Sequence, residues 1–134
     1  MTRSMTRASR LAVSLLAVTS LAACERTKGD MQNEARGLTH GGDPARGHAL
    51  IQHYGCGSCH QIPGVAGAVG HVGPPLDDFR DRAYIAGVLP HSPDNLMKWI
   101  EDPPKVDSLT AMPKLGVSHG EARDIAAYLY SLEP

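Results

Sequence analysis

The chain has 134 residues, of which 42% are hydrophobic and 20% charged, with 13 Lys and Arg against 14 Asp and Glu. That length holds one domain with added segments rather than two independent cores, and three cysteines leave no disulfide framework once their other uses are counted. The first 23 residues carry Arg3, Arg7 and Arg10 and no acid, so losing them moves the net charge from −1 to −4 and excludes the basic surface that nucleic-acid binding needs.

Those 23 residues read as an export signal. The three arginines precede an uncharged stretch from Leu11 to Ala23, the charged and apolar regions of such a leader. The stretch is too short to span a bilayer permanently, which takes roughly 20 apolar residues. It ends in Leu21-Ala22-Ala23-Cys24, which resembles a bacterial lipobox, whose cysteine is lipidated and becomes the new N-terminus. An ordinary secretory signal cut near the same place is the alternative. Residues 24–42 are polar and glycine-bearing, and are predicted to form a flexible tether from Cys24 with a reach of very roughly 20 to 25 Å. The expected organisation is therefore a signal over 1–23, a tether over 24–42 and a single domain over 43–134, on the periplasmic side and held at a membrane by lipid.

The first helix is predicted to start at Asp43, an N-cap with Pro44 at the first helical position. Ala45, Gly47, Leu50, Ile51 and Tyr54 supply its inward side. It runs directly into Cys56-Gly57-Ser58-Cys59-His60. Two thiols separated by two residues and followed by an imidazole form a covalent haem attachment pattern. Each thiol adds to one vinyl group of the same porphyrin, and a two-residue gap on a tight turn matches the separation of those vinyls. His60 then lies under the ring and supplies an axial iron ligand. Two other readings of the cysteine pair stand beside this one. A thioredoxin-like dithiol sits in a βαβ context, which the surrounding sequence lacks. A zinc site needs a second Cys or His pair, whereas His40, His48, His53, His71, His91 and His119 are scattered. Export and haem attachment point to the same compartment.

A Gly- and Pro-rich loop follows from Ile62 to Leu76. A short helix is expected from Asp81 to Gly87. Another starts at Ser92 with Pro93 behind it, turns Leu96, Trp99 and Ile100 inward, and stops at Pro103 and Pro104. The last helix opens with a capping box, Ser118 and Glu121, ahead of Ala122, Ile125, Ala126 and Leu129. With only Phe79, Trp99 and four tyrosines as aromatics the core is thin, and a buried porphyrin offsets the deficit. The apoprotein is expected to fold poorly.

One iron position remains for a second ligand. Met1 and Met5 leave with the signal, Met31 lies in the expected tether and Met97 in a helix, while Met112 sits in the Pro-flanked loop Thr110-Ala111-Met112-Pro113-Lys114-Leu115. From about Gly42 to Leu132 the chain resembles class I monohaem cytochromes c. The resemblance is carried by Cys56-Gly57-Ser58-Cys59-His60, Gly73-Pro74-Pro75-Leu76, Trp99-Ile100-Glu101-Asp102-Pro103, Met112-Pro113 and Asp124-Ile125-Ala126-Ala127-Tyr128-Leu129. It implies an all-α cytochrome c fold of four to five short helices around one covalently bound haem c. It also implies Met112 as distal ligand, the Pro74 carbonyl as acceptor from the second ring nitrogen of His60, and Gly47 as the small residue at the crossing of the first and last helices near Tyr128. Trp99 becomes an aromatic of the haem pocket, bonded to a propionate through its indole N–H or simply packed.

The run from Ile85 to Leu96, continuing to Trp99 and Met112-Pro113, is similar to haem c domains that serve terminal oxidases, including those fused to oxidase subunit II. The sequence shows neither copper-site nor membrane-helix segments, so a free-standing tethered carrier is expected. Val106-Asp107-Ser108-Leu109 departs from the family by lacking a Pro-Gly turn before the Met loop. The functional expectation is a one-electron carrier, a monomer and not an enzyme. It takes electrons from a quinol-oxidising complex or dehydrogenase and passes them to a terminal oxidase. The rival is a haem enzyme or sensor with a labile Met112, for which His71, His91 or His119 would act as distal acid or base; a haem subunit of a larger redox complex changes the partner but not the chemistry.

Overall fold

The computed structural model describes residues 28–133. The signal segment 1–23, the lipobox at Leu21-Ala22-Ala23-Cys24 and residues 24–27 lie outside them. The chain divides into a unit Met1–Asp30, of which residues 28–30 are described and helical, and a unit Met31–Pro134 that holds every other element. No described helix is long and apolar enough to cross a membrane.

Residues 31–38 (α1) are helical, which corrects the expectation of a flexible tether across 24–42. Met31, Ala35 and Leu38 recur at helical spacing, and Ala35 is fully buried. The helix closes through bonds from Gly41 N–H to the Arg36 carbonyl (2.8 Å) and from His40 N–H to Gly37 (3.4 Å), with His40 in the left-handed region at φ 54°. Thr39, also fully buried, bonds back to the Ala35 carbonyl at 2.6 Å. The Glu34–Arg80 ion pair (3.0 Å) and a His40–Asp94 side-chain contact (3.3 Å) tie the segment to the rest of the unit. The stripe is narrow and interrupted by Gly37, so it carries little helical signal of its own.

Helix α2 spans Pro44–His53, α3 Pro93–Glu101, α4 Pro103–Val106 and α5 His119–Tyr130. The starts of α2, α3 and α5 follow local chemistry. The Asp43 carboxylate accepts from the N–H groups of Ala45 and Arg46, the Ser92 hydroxyl from Asn95, and Ser118 and Glu121 form the reciprocal capping box. Pro103 and Pro104 end α3 as expected, and they also start α4, since proline suits the first turn of a helix. Ala45, expected inward, is exposed. The helix expected over Asp81 to Gly87 is absent. A 3₁₀ turn covers Phe79–Asp81, followed by an antiparallel hairpin of β1 (Tyr84–Ile85) and β2 (Leu89–Pro90) in which Ile85 faces Leu89. Ala86 and Gly87 both have positive φ, 52° and 74°, the geometry of a tight hairpin turn.

Helix α5 is central, packing on α2 on one side and α3 on another. Its apolar face, Ala122, Ile125, Ala126 and Leu129, meets Ile51, Leu96, Met97 and Ile100 in one core. The α2–α5 crossing is close because a Cβ on Gly47 would collide with the Asp124 carbonyl and lie 3.0 Å from the Tyr128 Cβ. Asp124, 1% exposed, accepts from the Asp43 N–H at 2.9 Å and from Arg46 Nε at 2.5 Å. Burial pushes its carboxyl up, but the Arg46 hydrogen bond, the Asp43 N–H and the charges of Arg46 and Arg123 outweigh this and hold it below its ordinary 3.8.

Gly47→Ala is expected to destabilise the protein by about 1–3 kcal/mol through overpacking. Gly120→Ala, whose Cβ meets nothing within 4 Å, should stabilise it by about 0.5 kcal/mol, both read from denaturant midpoints. Because the Asp124 carboxyl is depressed in the folded state, its contribution is present above the unfolded value and is lost as pH falls through the folded one. Stability is therefore expected to drop below about pH 4, and Asp124→Asn, weaker at neutral pH, should show a shallower acid decline in the same denaturation series.

Candidate functional site

After α2 the chain turns through Gly55 at φ 69°, a left-handed position that glycine adopts freely. It then enters the 3₁₀ turn Cys56–Ser58. Bonds from the N–H groups of Cys59 (3.2 Å) and His60 (3.0 Å) to the Cys56 carbonyl fold the motif onto itself. Cys56 and Cys59 are free thiols, and both line the same cavity as His60. Burial pushes the Cys56 thiol up, the opposite of the lowered value that activates a redox dithiol.

The loop after His60 wraps back around this turn. Gly70 N–H bonds to the Gly57 carbonyl (3.1 Å), Gly73 N–H to Cys59 (2.8 Å) and Leu76 N–H to Gln61 (2.8 Å). Gly73 lies flat on the imidazole, where a Cβ would sit 2.6 Å from His60 Nδ1. His60 Nδ1 is 2.8 Å from the Pro74 carbonyl oxygen. A carbonyl only accepts, so Nδ1 carries the proton and Nε2 is left as the basic nitrogen. The loop is pinned to the helix crossing by Tyr128 donating to the Pro63 carbonyl (2.6 Å) and His48 Nε2 to Gly64 (3.0 Å).

The cavity has a volume of about 430 Å3, within the ordinary range for small-molecule and cofactor sites. Ile51, Leu76, Ile85, Leu96, Ile125 and Leu129 make much of its wall. Cys56, Cys59, His60, Pro74, Trp99 and Met112, the residues singled out from sequence within the described range, all line it; Cys24 lies outside that range. Phe79 forms another part of the wall, backed by His91 (centroids 4.8 Å) and Tyr130 (5.7 Å). Burial, and then Arg82, pushes His91 down, and burial pushes Tyr130 up to about 12, so this backing is neutral at pH 7.

Met112, lining the same cavity, is half-buried in the loop between α4 and α5, its N–H bonded to Thr110 Oγ1 at 3.1 Å. Lys114 pairs with Asp102 at 2.5 Å and holds that carboxyl below the usual carboxylate range. His71, His91 and His119 do not line the cavity; His71 meets Gln61 at 2.9 Å and His119 meets Glu101 at 2.7 Å. Sequence reasoning missed Arg82 and Tyr84 among the lining residues, and the Lys114–Asp102 pair. The hairpin that places Tyr84 falls where the sequence predicts helix, and a pair twelve positions apart in irregular backbone has no periodic signature.

The donor set suits a covalently held haem: two free thiols, a histidine with its basic nitrogen uncommitted, and a thioether on an apolar cavity. Among described residues no group of three or more His, Cys, Asp and Glu gathers as an alternative metal site.

No family model matches the chain, and no solved structure matches it significantly. Over 89 residues it is 32% identical to cytochrome c oxidase subunit 2 of Alkalihalophilus pseudofirmus, covering 66% of this chain and 25% of that protein. Over 110 residues it is 35% identical to cytochrome c oxidase subunit 2 of Bacillus sp. strain PS3, covering 77% and 30%. The chain thus spans about a quarter to three-tenths of the length of these relatives. They correct one expectation. The sequence sets the chain apart from enzymes, whereas the proteins it is similar to are subunits of an oxidase.

The His60 Nδ1 proton is expected to exchange slowly with solvent in NMR spectra, held by the Pro74 carbonyl. Gly73→Ala, which pushes a methyl against the ring, should speed that exchange by about tenfold or more, the loss of one net hydrogen bond.

Proposed function

We propose that the chain is an electron-transfer unit linked to a terminal oxidase, with one haem c attached through Cys56 and Cys59 and ligated by His60 and Met112 in a cytochrome c fold. One observation carries the reading: residues drawn from four separate stretches of sequence, Cys56 to His60, Pro74, Trp99 and Met112, line one apolar cavity. The similarity to oxidase subunit 2 supports the link to an oxidase. Electrons arrive from a quinol-oxidising complex or a dehydrogenase and leave to the oxidase. Lipidation of Cys24 holds the unit at the exported face of a membrane and raises its local concentration near those partners.

Bound haem supplies one-electron chemistry at an iron whose potential a thioether ligand raises. The chain's residues do the rest. Pro74 fixes the ring orientation and basicity of His60 through Nδ1. Cys56 and Cys59 would hold the group covalently, independently of the iron ligands. Ile85, Leu96, Ile125 and Leu129 exclude water from the cavity, and that dry surround tunes the potential. Trp99 lines the cavity, where it would pack on the group or hold a propionate through its indole N–H.

The test is the optical spectrum of the purified ferric protein, alongside Met112→Ala. Wild type is expected to show the weak far-red band of methionine sulfur on iron and the variant to lack it, with both carrying the mass of one covalent haem. A wild type without the band, or one that binds carbon monoxide readily when reduced, overturns the ligand assignment.

A further inference from the structure

The two sides of the cavity are secured by different means. The His60 side is wrapped by backbone hydrogen bonds from Gly70, Gly73 and Leu76. The Met112 side belongs to a segment, residues 107–118, with no helix or strand. Its first half is a run of local turns on Asp107: Leu109 N–H bonds to Asp107 Oδ1 (3.0 Å) and Thr110 N–H to the Asp107 carbonyl (3.1 Å), and Thr110 in turn receives Met112 N–H. All of these lie on the N-terminal side of the methionine. On the other side, two residues on, Lys114 reaches out of the segment to the Asp102 carboxylate at 2.5 Å.

Asp102 is a firm point of attachment. It sits at the corner between α3 and α4, next to the buried Pro103, and its carbonyl accepts the Lys105 N–H at 3.1 Å. Its side chain is 27% exposed and that of Lys114 59% exposed, so the pair is partly shielded on the acid's side. The next ties along the chain are the Ser118–Glu121 capping box and His119 to Glu101, both beyond the buried Val117.

We propose that the Lys114–Asp102 pair is a positioning latch that sets how readily Met112 leaves the cavity. The proposal rests on the His60/Met112 reading above and goes beyond it by naming what governs the lability of the second ligand. When the latch is broken, the segment beyond Met112 is held only from Val117 onward, so the thioether swings away with less resistance. Exposed and half-exposed ion pairs are weak, so the expected effect is a shift in an equilibrium and not a collapse of the fold.

The probe is imidazole, titrated into the intact ferric haem protein while the far-red methionine band is followed. Lys114→Met and Asp102→Asn are each expected to bind imidazole about two- to five-fold more tightly than wild type, the range an ion pair of this exposure supports. The double variant should match either single one, and Lys114→Arg should return to within error of wild type. Raising salt should move wild type toward the variants and leave Lys114→Met where it is. Equal imidazole affinity in wild type and Lys114→Met, with the band present in both, overturns the latch and leaves the ligand reading standing. The latch also falls if Lys114→Met lowers the unfolding midpoint alone. Absence of the band in wild type overturns the ligand reading and the latch together.

Discussion

The close crossing of α2 on α5 is the constraint on which the rest of the molecule depends. Helix α2 delivers the Cys56–His60 turn, and α5 supplies the wall residues Ile125 and Leu129, so the distance between turn and wall is set where the helices touch. Gly47 allows that approach, since any side chain there would occupy the space of the Asp124 carbonyl. Two carboxylates on α5 then hold α2 at both ends. Asp124 takes the Asp43 N–H and Arg46 near its start, and Glu121 takes the Tyr54 hydroxyl at 3.0 Å just past its finish. Glu121 also closes the capping box of its own helix, and Ser118 first and Tyr54 after it keep that carboxyl below its ordinary range. One acid therefore registers the start of α5 against the end of α2.

What is legible in the sequence is local, and what stays hidden is distant or weakly patterned. The start of α5 at Ser118, the Asp43-Pro44 start of α2 and the Ser92-Pro93 start of α3 depend on side chains within three residues of the backbone they cap, so short-range chemistry finds them. Of the cavity-lining set, the Cys56-to-His60 turn is legible from its own spacing, whereas Pro74, Trp99 and Met112 are singled out only through the resemblance to class I cytochromes c, because seven histidines and five methionines leave the choice open on residue type alone. Residues 31–38 are not legible, because their stripe is three apolar residues wide and the helix gains its place from Ala35, Thr39 and the Glu34–Arg80 pair. The Ala86-Gly87 turn escapes a sequence reading because alanine at positive φ is rare, and the hairpin rather than local propensity imposes it.

Asp124 shows how little the polar framework of such a small unit can be varied. A carboxylate 1% exposed is costly to bury, and here two donors reach it from α2 while its charge is answered by Arg46. Replacing the whole arrangement by apolar groups would leave the Asp43 N–H without a partner at the start of α2. The buried acid thus serves position: it fixes the entry of α2, which in turn aims Gly55 and the cysteine turn.

The asymmetry between the two walls of the cavity follows from the same economy. Backbone-to-backbone bonds from three points of one loop, together with a glycine pressed on the ring, leave His60 a single orientation. Met112 has no such wrap, and its segment carries Gly116 at φ 78° and Leu109 almost wholly exposed. A site built to hold a ligand equally on both sides would have spent helix on each. Placing rigidity around His60 and side-chain ties around Met112 means that any perturbation of the cavity, by a competing small ligand or by an approaching partner, is taken up first by the methionine segment, while the wrapped imidazole keeps its place.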